Sequence, residues 1–211
     1  MPQIVTKSHF QKSNFLYIPL SENVPTANAS IQSPNNVGYI DNLCIEIEKD
    51  VLLNALGLTI YNELQLALAD IDNPLNANYK KLVQGEEYSD KVWKGLSHEF
   101  SLIACKIYEE FTRRKNESLS GVGTVFVNPE KAERISPNNQ IIKVNQLFFK
   151  QYQDRENLFP KVENNVLDWS SFTNDIEVSL FRYLNDKASD FNWSASNFKL
   201  YKNSLVNSFG L

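Results

Sequence analysis

The chain has 211 residues, 42% of them hydrophobic and 22% charged, with a formal net charge of −4. Those proportions suit a domain with a core of its own and exclude a disordered, collagen-like or low-complexity chain. The acidic balance excludes nucleic-acid coating driven by global charge, and no uninterrupted apolar run approaches the ~20 residues of a membrane helix.

The first residues, MPQIVTKSHFQKSNFLYIPL, lack the basic-then-apolar layout of a signal peptide. Residues 1–37 are polar and rich in Asn and Ser, and read as an extended N-terminal arm. Within it Phe15-Leu16-Tyr17-Ile18 is a β-capable run stopped by Pro19. With no helical period to bury that run locally, the arm is expected to lie on other subunits.

A helical bundle is expected over 38–190. Ile40, Leu43, Cys44, Ile47 and Val51 share one helical face, with Glu48 off it, and Gly57 offers a C-cap or turn. Ile60, Leu64, Ala67, Leu68 and Ile71 form a second face, ended by Asp72-Asn73-Pro74. A short helix follows over 77–83, then a turn over 86–94 with Ser89-Asp90 at its tip. The strongest helix carries Leu96, Phe100, Ile103, Ile107, Tyr108 and Phe111, with Glu109 and Glu110 on its outer side.

The spacing breaks over 116–139, which reads as a loop or hairpin insertion. Gly121-Val122-Gly123-Thr124-Val125-Phe126-Val127 is β-branched and starts with two glycines, so it predicts one strand of a hairpin or a projecting loop; the stretch to Ser136 could return beside it, but no second strand of similar quality is evident inside the chain. Ser136-Pro137 starts a helix with Ile141, Val144, Phe148 and Tyr152 on its face. Ile176, Leu180, Tyr183 and Leu184 mark another. Residues 191–211 form a docking tail whose last apolar residues, Phe209 and Leu211, are too greasy for a free end. The fold class is therefore mainly α: a bundle with a β-hairpin or loop extension and an extended arm.

Chemistry is scarce. Cys44 and Cys105 sit in apolar periodic segments and read as buried thiols; His98 and Cys105 stand too far apart on one helix for a proton relay. No CxxC or HxxxH pair suggests zinc, and Gly121-Val-Gly123 lacks the rest of a phosphate loop. Asp70-Ile-Asp72-Asn-Pro has Pro74 where a calcium loop needs a ligand. No cofactor, metal or catalytic group is predicted, and the chain is not expected to be an enzyme. Arg113-Arg114-Lys115 is the basic cluster, suited either to the helix C-terminus or to an acidic partner surface.

Five segments in order carry a resemblance: Glu48-Lys49-Asp50-Val51-Leu52-Leu53-Asn54-Ala55-Leu56-Gly57 running into Ile60-Tyr61, Trp93-Lys94-Gly95-Leu96, Gly121-Val122-Gly123, Glu133-Arg134-Ile135-Ser136-Pro137-Asn138, and Asn207-Ser208-Phe209-Gly210. Together they resemble the head–tail connector (adaptor, or ring) proteins of tailed bacteriophages, in the version carried by phages of Bacteroidetes hosts, including the crAss-like group. The resemblance covers roughly residues 38–158 and the last few. It implies a homo-oligomeric ring, commonly of twelve copies, beneath the portal protein. Such a ring contacts other tail and connector proteins and extends a channel through which genomic DNA passes without sequence-specific binding. The implied location is the head–tail junction of the virion, assembled in the host bacterial cytoplasm, with no membrane contact.

Contacts between subunits or with partners are expected at Phe15, Tyr17, Arg113, Arg114, Val122, Val125, Phe126, Val127, Phe209 and Leu211, because arm, insertion and tail expose apolar residues that one small bundle has no means to bury. The alternative is a helical protein- or nucleic-acid-binding module working through Arg113, Arg114 and Lys115.

Overall fold

The computed structural model describes residues 2–11, 15–18, 36–116, 118–120, 123–125, 137–154, 161–163, 166–168 and 176–201. Among these the fold is mainly α, with antiparallel β-hairpins inserted between helices. Helix α1 spans Asn36–Leu68 and is broken at Gly57, where φ 76° and ψ 169° leave helical geometry. The first apolar face lies before that break and the second after it, as the spacing predicts.

Breaking the helix strips the carbonyls of the preceding turn of their i+4 donors. The C-terminal segment supplies replacements: Trp193 Nε1 donates to Ala55 O (3.0 Å), and Lys199 N to Asn54 O (2.7 Å). Phe191, Trp193 and Phe198 are buried in the same core. The start of the predicted docking tail thus docks on its own chain, while Phe209 and Leu211 lie outside the described residues.

Helix α2 (Ala77–Gln84) is followed by a true hairpin rather than a plain turn, β1 (Glu86–Tyr88) pairing with β2 (Lys91–Trp93). Ser89 and Asp90 both have positive φ, the two-residue geometry that matches strand twist. The Trp93-Lys94-Gly95-Leu96 motif that follows is a clasp on the end of α2. Trp93 Nε1 and Leu96 N both donate to Leu82 O (2.9 and 3.2 Å), and Ser97 N donates to Val83 O (2.9 Å).

Helix α3 (Leu102–Asn116) starts later than its apolar spacing suggests. Leu96 and Phe100 belong to the segment before it; Leu96 is fully buried, whereas Phe100 is only half-buried. This helix is central. It packs most extensively against α4 (Pro137–Gln153) and next against α1. Its burial extends to both acids expected on its outer side, since Glu109 and Glu110 are buried. They tolerate it because each is ion-paired within the helix, Glu109 to Lys106 (3.0 Å) and Glu110 to Arg113 and Arg114 (2.6 and 2.7 Å).

The described part of the arm is not extended over a neighbour but folded on the bundle. A 3-10 turn spans Lys7–Phe10, and Ile4, Val5, Phe10, Leu16 and Ile18 are buried in the core. The reason is Glu48, also buried, whose carboxylate accepts the backbone N–H groups of Ile4 (3.0 Å) and Val5 (2.9 Å). Two orphan donors and one buried charge satisfy each other.

Between α3 and α4 lies hairpin β3 (Ser118–Ser120) and β4 (Gly123–Val125), so the expected strand finds its partner just upstream, inside the chain. A further antiparallel hairpin pairs β5 (Lys161–Glu163) with β6 (Val166–Asp168) between α4 and the last helices. Helix α5 (Leu180–Asp186) buries Leu180, Tyr183 and Leu184, but Ile176 precedes it and is exposed. The four-residue helix α6 (Ala188–Phe191) closes the described core.

Candidate interaction surfaces

Two-stranded hairpins leave both outer edges as rows of unpaired backbone groups. The β1–β2 hairpin has one edge covered, because Val92 N donates to Ile176 O (2.7 Å) and Val178 N to Val92 O (3.0 Å). The β3–β4 and β5–β6 hairpins have no third strand among the described residues. Of the contact residues expected there, Val125 stands in β4 opposite Ser118. Val122, Phe126 and Val127 lie outside the described residues.

The exposed large hydrophobic residues of the described N-terminal segment are Phe15 (40%) and Tyr17 (42%). The alternation is that of a short strand, with Leu16 and Ile18 inward and Phe15 and Tyr17 outward. Phe15 stacks on Phe100 at 4.8 Å between ring centroids, and its carbonyl accepts from Gln140 Nε2.

Arg113 and Arg114 are engaged on their own chain. Arg114 bridges α3 to α1, pairing with Glu46 (2.7 Å) as well as Glu110. Burial pushes the Glu110 carboxyl up, but hydrogen bonds from the two guanidinium groups and their charge outweigh it, so it titrates below the usual carboxylate range. A depressed folded value means stability that is complete above the unfolded value and is lost as pH falls through the folded one. Glu48 runs the other way: burial dominates over the Ile4 and Val5 hydrogen bonds and raises it. Its contribution is complete below the unfolded value and fades as pH rises through the folded one. We therefore expect Glu110→Gln to destabilise most near neutrality and least in acid, and Glu48→Gln to destabilise most in acid. Denaturant melts of both variants across pH check the two opposite slopes.

Burial pushes the thiols of Cys44 and Cys105 up to about 12. Both are expected to resist a thiol reagent in the native protein and react fully once it is denatured. Among the described residues no cluster of three or more His, Cys, Asp or Glu side chains has metal-binding geometry. A cleft of about 80 Å³ lies beside the clasp, its lining mixed between apolar side chains such as Leu102, Leu147 and Val178 and the polar Lys94, His98 and Glu177. Lys94 and Glu177 pair across it at 2.8 Å. Burial and the Lys94 charge hold His98 below its ordinary value. The cleft has room for a few waters and falls short of the ~300 Å³ at which ligand pockets begin.

By length and mean hydropathy, the Tyr39–Leu68 stretch of α1 meets the criterion for a membrane helix, contrary to the reading of apolar runs alone. It is the core helix, however: Ile40, Leu43, Val51, Leu52, Leu56 and Leu64 are buried against the rest of the chain.

A surface that the sequence reading passed over lies on α1 after Gly57. Leu58 (67% exposed) and Leu66 (77%) point away from the core. The signal was in the spacing: Leu58, Asn62 and Leu66 fall at i, i+4 and i+8, off the Ile60–Leu64–Ala67 face. Comparison of the chain with family models, curated proteins and solved structures finds no match.

Proposed function

We propose that this chain is a structural, non-catalytic ring subunit of the head–tail junction of a tailed bacteriophage. One rim meets the portal protein and the other the next tail component, and genomic DNA passes through without sequence-specific contact. The observation that carries the reading is the β3–β4 hairpin, which has no third strand among the described residues and is set between the two most closely packed helices, α3 and α4. A two-stranded ribbon is marginal alone and gains stability when another chain pairs with its edge. The Trp93-Lys94-Gly95-Leu96 and Glu48-to-Gly57 segments, which carry part of the resemblance, supply the clasp on α2, the anchor for Ile4 and Val5, and the break in α1.

The alternative binding module is weakened by the carboxylates of Glu46 and Glu110, which occupy Arg113 and Arg114. The test is excision of residues 118–125, joined by a short Gly-Ser linker. The expected result is a melt within about 1 kcal/mol of the parent and failure to join phage particles. Normal incorporation of the excised chain overturns the reading.

A further inference from the structure

We propose that the junction between neighbouring copies is made by two unlike faces. The acidic, leucine-bearing outer face of α1 after Gly57 in one copy seats on the basic outer face of α4 in the next. The inference deepens the ring reading and rests on it.

The first face presents Leu58 and Leu66, separated by Asn62, with Glu63 on one flank by helical spacing and Asp70 in the turn that follows the end of α1 at Leu68. From Leu58 through Tyr79 the sequence holds three acids, Glu63, Asp70 and Asp72, and no Lys or Arg, and Asp72 is paired with the Lys80 that follows (2.7 Å). Glu63 accepts the Tyr79 hydroxyl and Asp70 the Asn73 amide, but neither has a cationic partner among the described residues.

The second face reverses the sign. Helix α4 holds Lys143 and Lys150 and no acid. Lys143 and Gln146 are exposed along its crest, Lys150 continues it to the cleft that Asp154 and Glu177 also line, and Ile142 (43% exposed) lies on one flank. Phe15, held through its carbonyl by Gln140, lies on the other. Lys143 has no ion pair among the described residues.

Each face is apolar with charge beside it, and the charges are opposite. A face of one sign is not self-complementary, because a two-fold contact would set Glu63 and Asp70 against their own copies. Two unlike complementary faces on one chain produce head-to-tail association, which closes as a ring when the rotation allows.

The test uses the full chain with single cysteines placed on each face, Leu66→Cys and Ile142→Cys, and a short bismaleimide linker. The buried native thiols serve as the blank in the parent protein. The expected result is a cross-linked pair when the two single variants are mixed, none from either alone, and a ladder from the double variant. Cross-linking of Leu66→Cys with itself overturns the inference in favour of a two-fold contact. No cross-link from a protein that still sediments as an oligomer overturns the assignment of faces and leaves the ring reading standing. No cross-link from a protein that is monomeric throughout removes both.

Charge exchange gives a second measure. Lys143→Glu and Glu63→Lys should each weaken self-association about tenfold, and the variant carrying both should recover most of the loss. Equal affinity for all three variants and the parent contradicts the proposal.

Discussion

Gly95→Ala is expected to cost about 3–5 kcal/mol, the sum of backbone strain at positive φ and a forced overlap. Gly95 has φ 86°, and a Cβ there would stand 2.5 Å from Gln84 C, Gly85 N and Val83 O. These are main-chain atoms at the C-terminus of α2, so no side chain can swing aside to relieve the clash. Gly85 is the reciprocal case, with φ 95° and a Cβ position 2.5 Å from Trp93 O. The two glycines let the end of α2 and the clasp touch backbone to backbone, which allows Trp93 Nε1 to reach Leu82 O. Gly57→Ala is the control. It shares the positive φ, but its nearest neighbour is Asn197 Cβ at 3.5 Å, an ordinary contact. Its cost should stay near the strain alone, about 1–3 kcal/mol. Denaturant melts that rank Gly57→Ala above Gly95→Ala would contradict the clasp as described.

Phe148→Ala is expected to cost about 3–5 kcal/mol through lost transfer energy and the cavity left behind. The ring is fully buried. It stacks on Tyr152 at 5.4 Å, meets Phe149 and Tyr201 edge-on at 5.4 and 5.2 Å, and has the Lys106 ammonium 5.3 Å from its centre. Four partners from α3, α4 and the C-terminal segment therefore lose contact at once. Phe100→Ala should cost clearly less, because Phe100 is half-buried and its stacking partner Phe15 is itself exposed. Chemical denaturation of the two variants, compared at constant slope, checks the order.

Helical periodicity was the readable part of the sequence. The positions of Ile40 to Val51, of Ile60 to Ala67 and of Val144 to Tyr152 marked core faces, because a buried stripe repeats with the helix. Where burial depends on a distant partner, the same reasoning failed. Glu48 looks solvated in a local window, but Ile4 and Val5 reach its carboxylate from far along the chain; Glu109 and Glu110 have local partners, and what buries them is the packing of α3 against both α1 and α4. The N-terminal segment has no period of its own, so nothing local indicates that Phe10, Leu16 and Ile18 fill the bundle. Phe15-Leu16-Tyr17-Ile18 was legible only as a β-capable run, without a sign of which of its residues turn inward. The Leu58–Leu66 face was written in the spacing as well, but only by noting which leucines fall off the core stripe.

Copies of this chain are proposed to join head to tail into a closed ring. Sedimentation of the full-length protein from micromolar to millimolar concentration, with electron-microscopic images of the largest species, tests it most directly. The account predicts a concentration-dependent shift from a 24.2 kDa monomer to one discrete multiple of that mass, seen end-on as an annulus with rotational symmetry. A monomer at every concentration, or a two-fold dimer that grows no further, would contradict it.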